Sequence, residues 1–167
     1  KEVLSGSDCL ERIHKKAIDL RFRSDPLEQD LNFIMNKFKE LNLIDDDVIG
    51  LLKSDIERVQ ELHKSRYSSW KAEDIIAWAQ KVKVQKEEVN ALEALAVLNQ
   101  AVIITSEFYL SKPQILSCLL MLSSNVKITN KDKGRLIQVS TGEGKSTIVA
   151  ALAVINCLRG KKIDIMT

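Results

Sequence analysis

Cysteine is scarce in this chain and badly placed for chemistry. Cys9, Cys118 and Cys157 are odd in number, far apart and without a Cys-x-x-Cys pair. That excludes a disulfide framework and a zinc site, and it favours a reducing, cytoplasmic setting. Each is expected to pack as a small apolar residue. Aromatic residues make up only 5% of the chain, too few to interleave with basic residues as a single-strand nucleic-acid platform requires. Charge of one sign is missing as well. The 25 Lys and Arg against 23 Asp and Glu leave a net charge of +2, too near neutral to point to nucleic acid or an anionic membrane as partner. No apolar run reaches the ~18 residues that cross a bilayer, and no signal peptide is read at the start. A transmembrane segment is therefore not expected, and peripheral membrane association stays open. There is no internal repeat, no low-complexity tract and no Gly-x-Ser-x-Gly elbow. His14 and His63 are read as solvated residues on polar helix faces, without ligands at metal spacing.

What is present is an ordinary globular balance, 45% hydrophobic and 29% charged, so the chain is expected to fold around a core. Up to about Ser124 it reads as helix after helix. "SDCLERIHKKAIDLRF" carries apolar residues at helical spacing. In "SDPLEQDLNFIMNKFKEL", Pro26 suits a first helical position, and Leu27, Leu31, Ile34, Met35 and Phe38 form one stripe. "DDDVIGLLKSDIERVQELHKSRY" repeats the pattern through Val48, Leu51, Leu52, Ile56, Val59 and Leu62, with Asp45–Asp47 read as N-capping and dipole compensation rather than metal ligands. Trp70 and Trp78, eight apart, are assigned to core packing. A long central helix is expected over about Lys86–Leu110, and a mostly buried one from Pro113.

After Asn125 the character changes. Four of the six glycines lie from Gly134 onward, and the segments read as strand ("RLIQV"), turn and helix ("GEGKSTIVAALAVINCLRG", stopped by Gly160), then strand ("KKIDIMT"). The expected fold class is therefore α/β: a mostly helical first two-thirds, then the first β-α-β of a RecA-like parallel P-loop sheet. The corresponding division is a helical region over 1–110 and the start of a P-loop nucleotide-binding domain over 111–167.

The chemistry is concentrated in Ser140-Thr141-Gly142-Glu143-Gly144-Lys145-Ser146. A polyphosphate needs several N–H donors aimed at one anion, which a tight turn into a helix N-terminus provides. Glycines let the backbone approach the phosphates. A Lys there reaches the outer phosphates, and a following Ser or Thr ligates Mg²⁺. The candidate nucleotide ligands are Thr141, Gly142, Glu143, Gly144, Lys145, Ser146 and Thr147, with Ser146 as the Mg²⁺ ligand. The full pattern has Gly where Val139 stands, which argues against a GTPase-type loop and toward the helicase-like variant.

"TGEGKS", between "RLIQV" and "LRGKKIDIMT", resembles the SecA family of preprotein translocase ATPases. Leu158, Gly160, Lys161 and Thr167 also fall where that family's pattern has them. The "WKAEDIIAWA" and "EALAVLNQA" stretches look more like eukaryotic proteins that carry a SecA-like region. The resemblance is specific over about Lys112–Thr167. It implies a motor that binds ATP and Mg²⁺ and drives polypeptide movement, with Lys145 as the catalytic cation that neutralises charge as the γ-phosphate leaves. It also implies that Gln114, after Lys112 and Pro113, helps hold the adenine; a polar residue at a helix start is the other reading. In that family the acidic and arginine residues needed for hydrolysis follow later. The chain is accordingly expected to be a piece of a larger protein, its partner being the remainder of that protein, and to be inactive as an ATPase alone. An RNA-helicase-like ATPase and a helical docking module with a vestigial P-loop remain the alternatives, with nucleic acid not favoured.

Overall fold

The computed structural model describes residues 26–41, 44–85, 89–122, 139 and 144–165. Six α-helices account for most of them: α1 (Pro26–Glu40), α2 (Asp46–Leu62), α3 (Ala72–Gln85), α4 (Ala91–Ser106), α5 (Lys112–Leu122) and α6 (Lys145–Leu158). One turn of π-helix, His63–Tyr67, continues α2.

The helices form where the stripes lie. Pro26 opens α1, where its missing N–H is no loss, and Leu31 and Met35 bury one turn apart. In α2, Leu52, Ile56 and Val59 make the buried line, while Asp46 and Asp47 sit in the first turn, where the helix dipole favours them. Asp45 is the N-cap of α2 by position but makes no side-chain capping bond. Asn90 does cap α4: its Oδ1 accepts from the amides of Leu92 at 2.9 Å and Glu93 at 3.3 Å. That cap starts α4 at Ala91, and a left-handed Glu107 (φ 58°) ends it at Ser106. The helix is thus shorter than the apolar pattern suggests. α4 is the hub, packed against α2, the π-turn, α3, α5 and α6, with Ala94, Leu95, Ala96 and Val97 all buried. Trp70 and Trp78 are half-buried against this core, which is the packing role expected of them. One buried cluster runs from Leu31 on α1 to Ile155 on α6.

The expected β-α-β is not formed. Among the described residues there is no strand; the helix of that unit is present as α6, but Lys161–Ile165 runs on from it as exposed chain. The reason is hydrogen bonding. Alternation of Ile163 and Ile165 sets a strand pattern, yet a strand exists only where a neighbour takes its N–H and C=O groups, and no described segment does so. Arg135–Gln138 and the "SDCLERIHKKAIDLRF" helix lie outside the described residues; Val139 packs half-buried against the core.

Candidate functional site

α6 begins at Gly144, which has φ 71° and ψ 45°, a left-handed conformation that L side chains rarely adopt. Gly144 O accepts from the amides of Thr147 at 3.0 Å and Ile148 at 3.2 Å. No side chain caps this end. The first amides of an α-helix have no acceptor within the helix, so those of Lys145 and Ser146 face outward from its positive pole. The side chains of Lys145 and Ser146 are exposed, and Thr147 is half-buried.

Gln114 reaches this end from α5. It is buried, not the exposed helix-start residue of the second reading. Its Oε1 accepts from the Ser111 amide at 3.0 Å, and its own amide donates to Ser111 Oγ at 3.3 Å. Ser111 and Gln114 therefore form a capping box, which fixes the side chain. The Gln114 Nε2 is turned to Gly144, so closely that a Cβ at position 144 would overlap it. The left-handed dihedral favours glycine there, and a Cβ would also make the Gln114 side-chain amide move.

Of the residues singled out in the sequence, Gln114, Gly144, Lys145, Ser146 and Thr147 are thus gathered at one helix end, while Thr141, Gly142 and Glu143 lie outside the described residues. Lys112 lines a cavity of about 290 Å³ with Leu31, Asn32, Lys53, Ile56 and Glu57.

At the other end, Gly160 (φ 72°) stops α6 as expected. Its amide donates to Cys157 O, and that of Lys161 to Asn156 O, both at 3.0 Å, the two bonds of a Schellman cap. Beside it, Arg159 Nε and one terminal nitrogen both donate to Val89 O, at 3.3 and 3.2 Å.

Other polar features were not read from the sequence or were read otherwise, Cys118 excepted, which is buried as expected. His63 is not solvated: it is buried, and its Nε2 lies 2.9 Å from Gln100 Oε1. Because Gln100 Nε2 donates to Trp70 O at 2.8 Å, Oε1 must face His63, so the histidine carries its proton on Nε2. The Tyr109 ring meets the His63 ring edge-on at 5.9 Å. Tyr67 donates to Glu93 Oε1 at 2.9 Å; burial, then this bond and the Glu93 charge, push its pKa up. Cys118 is buried and its thiol is pushed up to about 12 by desolvation, so it is no nucleophile at neutral pH. Cys157, against expectation, is exposed. No group of three or more metal-ligating side chains occurs among the described residues, and none of the described helices is long and apolar enough to cross a membrane.

Residues 34–167 match the family model of the SecA DEAD-like domain. Neither a curated protein nor a solved structure matches the chain. The family match covers well over half of the sequence and takes in α2 to α6 complete, together with the turn that opens α6. The chain belongs to the SecA DEAD-like domain family.

Proposed function

We propose that the turn into α6 binds the phosphates of Mg·ATP and that the chain is the nucleotide-binding start of a SecA-like motor acting on polypeptide. The observation that supports this most is Gly144: left-handed, and followed at once by exposed Lys145 and Ser146 on the positive end of a helix. This donor set suits a polyphosphate, since outward amides, an ammonium and a hydroxyl converge on one end. Lys145 neutralises charge on the outer phosphates, and Ser146 is the Mg²⁺ ligand. Thr141, Gly142 and Glu143 supply the turn, and Thr147 anchors its exit to Gly144 O. Gln114, held by its capping box, stands beside Gly144 and is assigned to the adenine. Bound Mg²⁺ would be held by the Ser146 hydroxyl and would offset phosphate charge.

Hydrolysis also requires an acidic residue to hold Mg²⁺ and orient water. None is assigned here, so the proposal for this chain is confined to binding. The larger setting proposed is a eukaryotic protein with a SecA-like region, working in a reducing compartment and associated with membranes peripherally if at all.

Calorimetry of Mg·ATP against the protein at its natural length tests this. Binding is expected in the unmodified protein and is expected to weaken by about 2 kcal/mol or more in Lys145→Ala, the scale of a lost charge-assisted contact. Absence of binding in the unmodified protein overturns the proposal and leaves the helical docking module as the better account.

A further inference from the structure

α6 packs on α3, α4 and α5 along one face. Ile148, Ala151 and Ile155 are buried, and the middle one of the three is only a methyl group. The opposite face is open: Val149, Ala150 and Val154 are exposed. Leu152 and Leu158, half-buried, widen the face that packs against the core. Polar contacts at the two ends of the helix add to this packing and set its angle. At the N-terminal end the fixing contact is Gln114 against Gly144. At the C-terminal end it is the Arg159 guanidinium, which gives two N–H groups to the single carbonyl of Val89. Val89 is buried and directly precedes Asn90, the cap of α4. The C-terminus of α6 is therefore tied to the N-terminus of the hub helix.

With 14 residues, α6 is about 21 Å long. As a rigid rod, it transmits a displacement at Arg159 to the turn at Gly144 as a tilt. We infer that Arg159, through Val89 O, is a positioning residue for the phosphate-binding turn at the far end of α6. It does not touch the nucleotide. It sets the angle at which the amides of Lys145 and Ser146 meet the phosphates, so its loss lowers affinity without removing any ligand group. The guanidinium suits this task because its planar fork makes two bonds at once, whereas an ammonium at the same place makes a single, more mobile contact.

This inference rests on the Mg·ATP reading above. Its test is calorimetry of Mg·ATP with the natural-length protein as wild type, Arg159→Ala and Arg159→Lys, each also followed by thermal unfolding without nucleotide. Arg159→Ala is expected to weaken binding about tenfold, within the ordinary range of couplings inside one protein. Arg159→Lys is expected to recover part of that loss. Wild-type affinity in folded Arg159→Ala, with only its melting temperature lowered, overturns the inference and makes the contact purely stabilising. If Arg159→Ala does not fold, Arg159→Lys decides: affinity equal to wild type overturns the inference and a weaker one supports it. No binding by wild type removes the Mg·ATP reading and this inference with it, a result distinct from binding that is indifferent to residue 159.

Discussion

Gly144 and Cys118 show how single residues commit this chain. At Gly144 an alanine meets a left-handed backbone, costing about 1–2 kcal/mol, and also meets Gln114 Nε2. Gly144→Ala is expected to lower stability by at least that amount and to displace Gln114, as read by urea unfolding and nucleotide affinity. For the thiols, native Cys118 is expected to resist alkylation at pH 8 while exposed Cys157 reacts, as mass spectrometry of the labelled protein reports. The same burial has a pH consequence. The Cys118 pKa rises from 9.0 to about 12 on folding. Between those values the unfolded chain releases the proton and the folded one keeps it, so this stabilisation is complete below pH 9 and falls as pH rises toward 12. Tyr67 acts in the same direction above its ordinary value of 10.0. Urea midpoints at pH 8 and pH 10.5 are expected to differ, the alkaline one being lower. At this scale the helix that starts after Gly144 was legible in the sequence, while the phosphate chemistry read from Gly-x-Gly-Lys-Ser stays a proposal. His63 was legible in principle: Leu52, Ile56, Val59 and His63 follow one another at four, three and four residues, so the stripe of α2 carries the imidazole inward. Its polar type argues for the surface, and only the partner Gln100, 37 residues away, reverses that.

Helix boundaries belong to the next scale. α2 contains Gly50, exposed and with nothing near its missing Cβ. Gly50→Ala is expected to stabilise the protein by about 0.5–1 kcal/mol, through helix propensity alone. Asn90→Ala removes both capping bonds at the start of α4 and is expected to cost about 1 kcal/mol. Chemical unfolding of the two variants reads both effects, which have opposite signs. Most elements were visible as 3.6-residue periodicity, and Pro26, Asp46 and Gly160 mark ends that the structure keeps. The end of α4 was not visible. Nothing in "ITSEFYL" marks Glu107 as the residue that turns left-handed; that turn accompanies the bond from Leu110 N to buried Asn99 Oδ1 at 2.7 Å, a tertiary contact. The strand expected at Lys161–Thr167 failed for the same kind of reason, since a helix satisfies its own backbone and a strand does not.

For the whole molecule, the central observation is that α6 and the rest of the helical bundle are not separate objects. α6 rests on α3, α4 and α5, and its two ends are held by residues from the segments that open α5 and α4. The family match spans the same elements. A ligand at the turn should therefore be felt in α6 and at its supports before it is felt in α1. Hydrogen–deuterium exchange of the natural-length protein, with and without Mg·ATP, tests this most directly. The account expects nucleotide to slow exchange at residues 140–148 and at Gln114, and the effect to vanish in Lys145→Ala. Unchanged exchange at the turn under saturating Mg·ATP, or protection that survives Lys145→Ala, would contradict it.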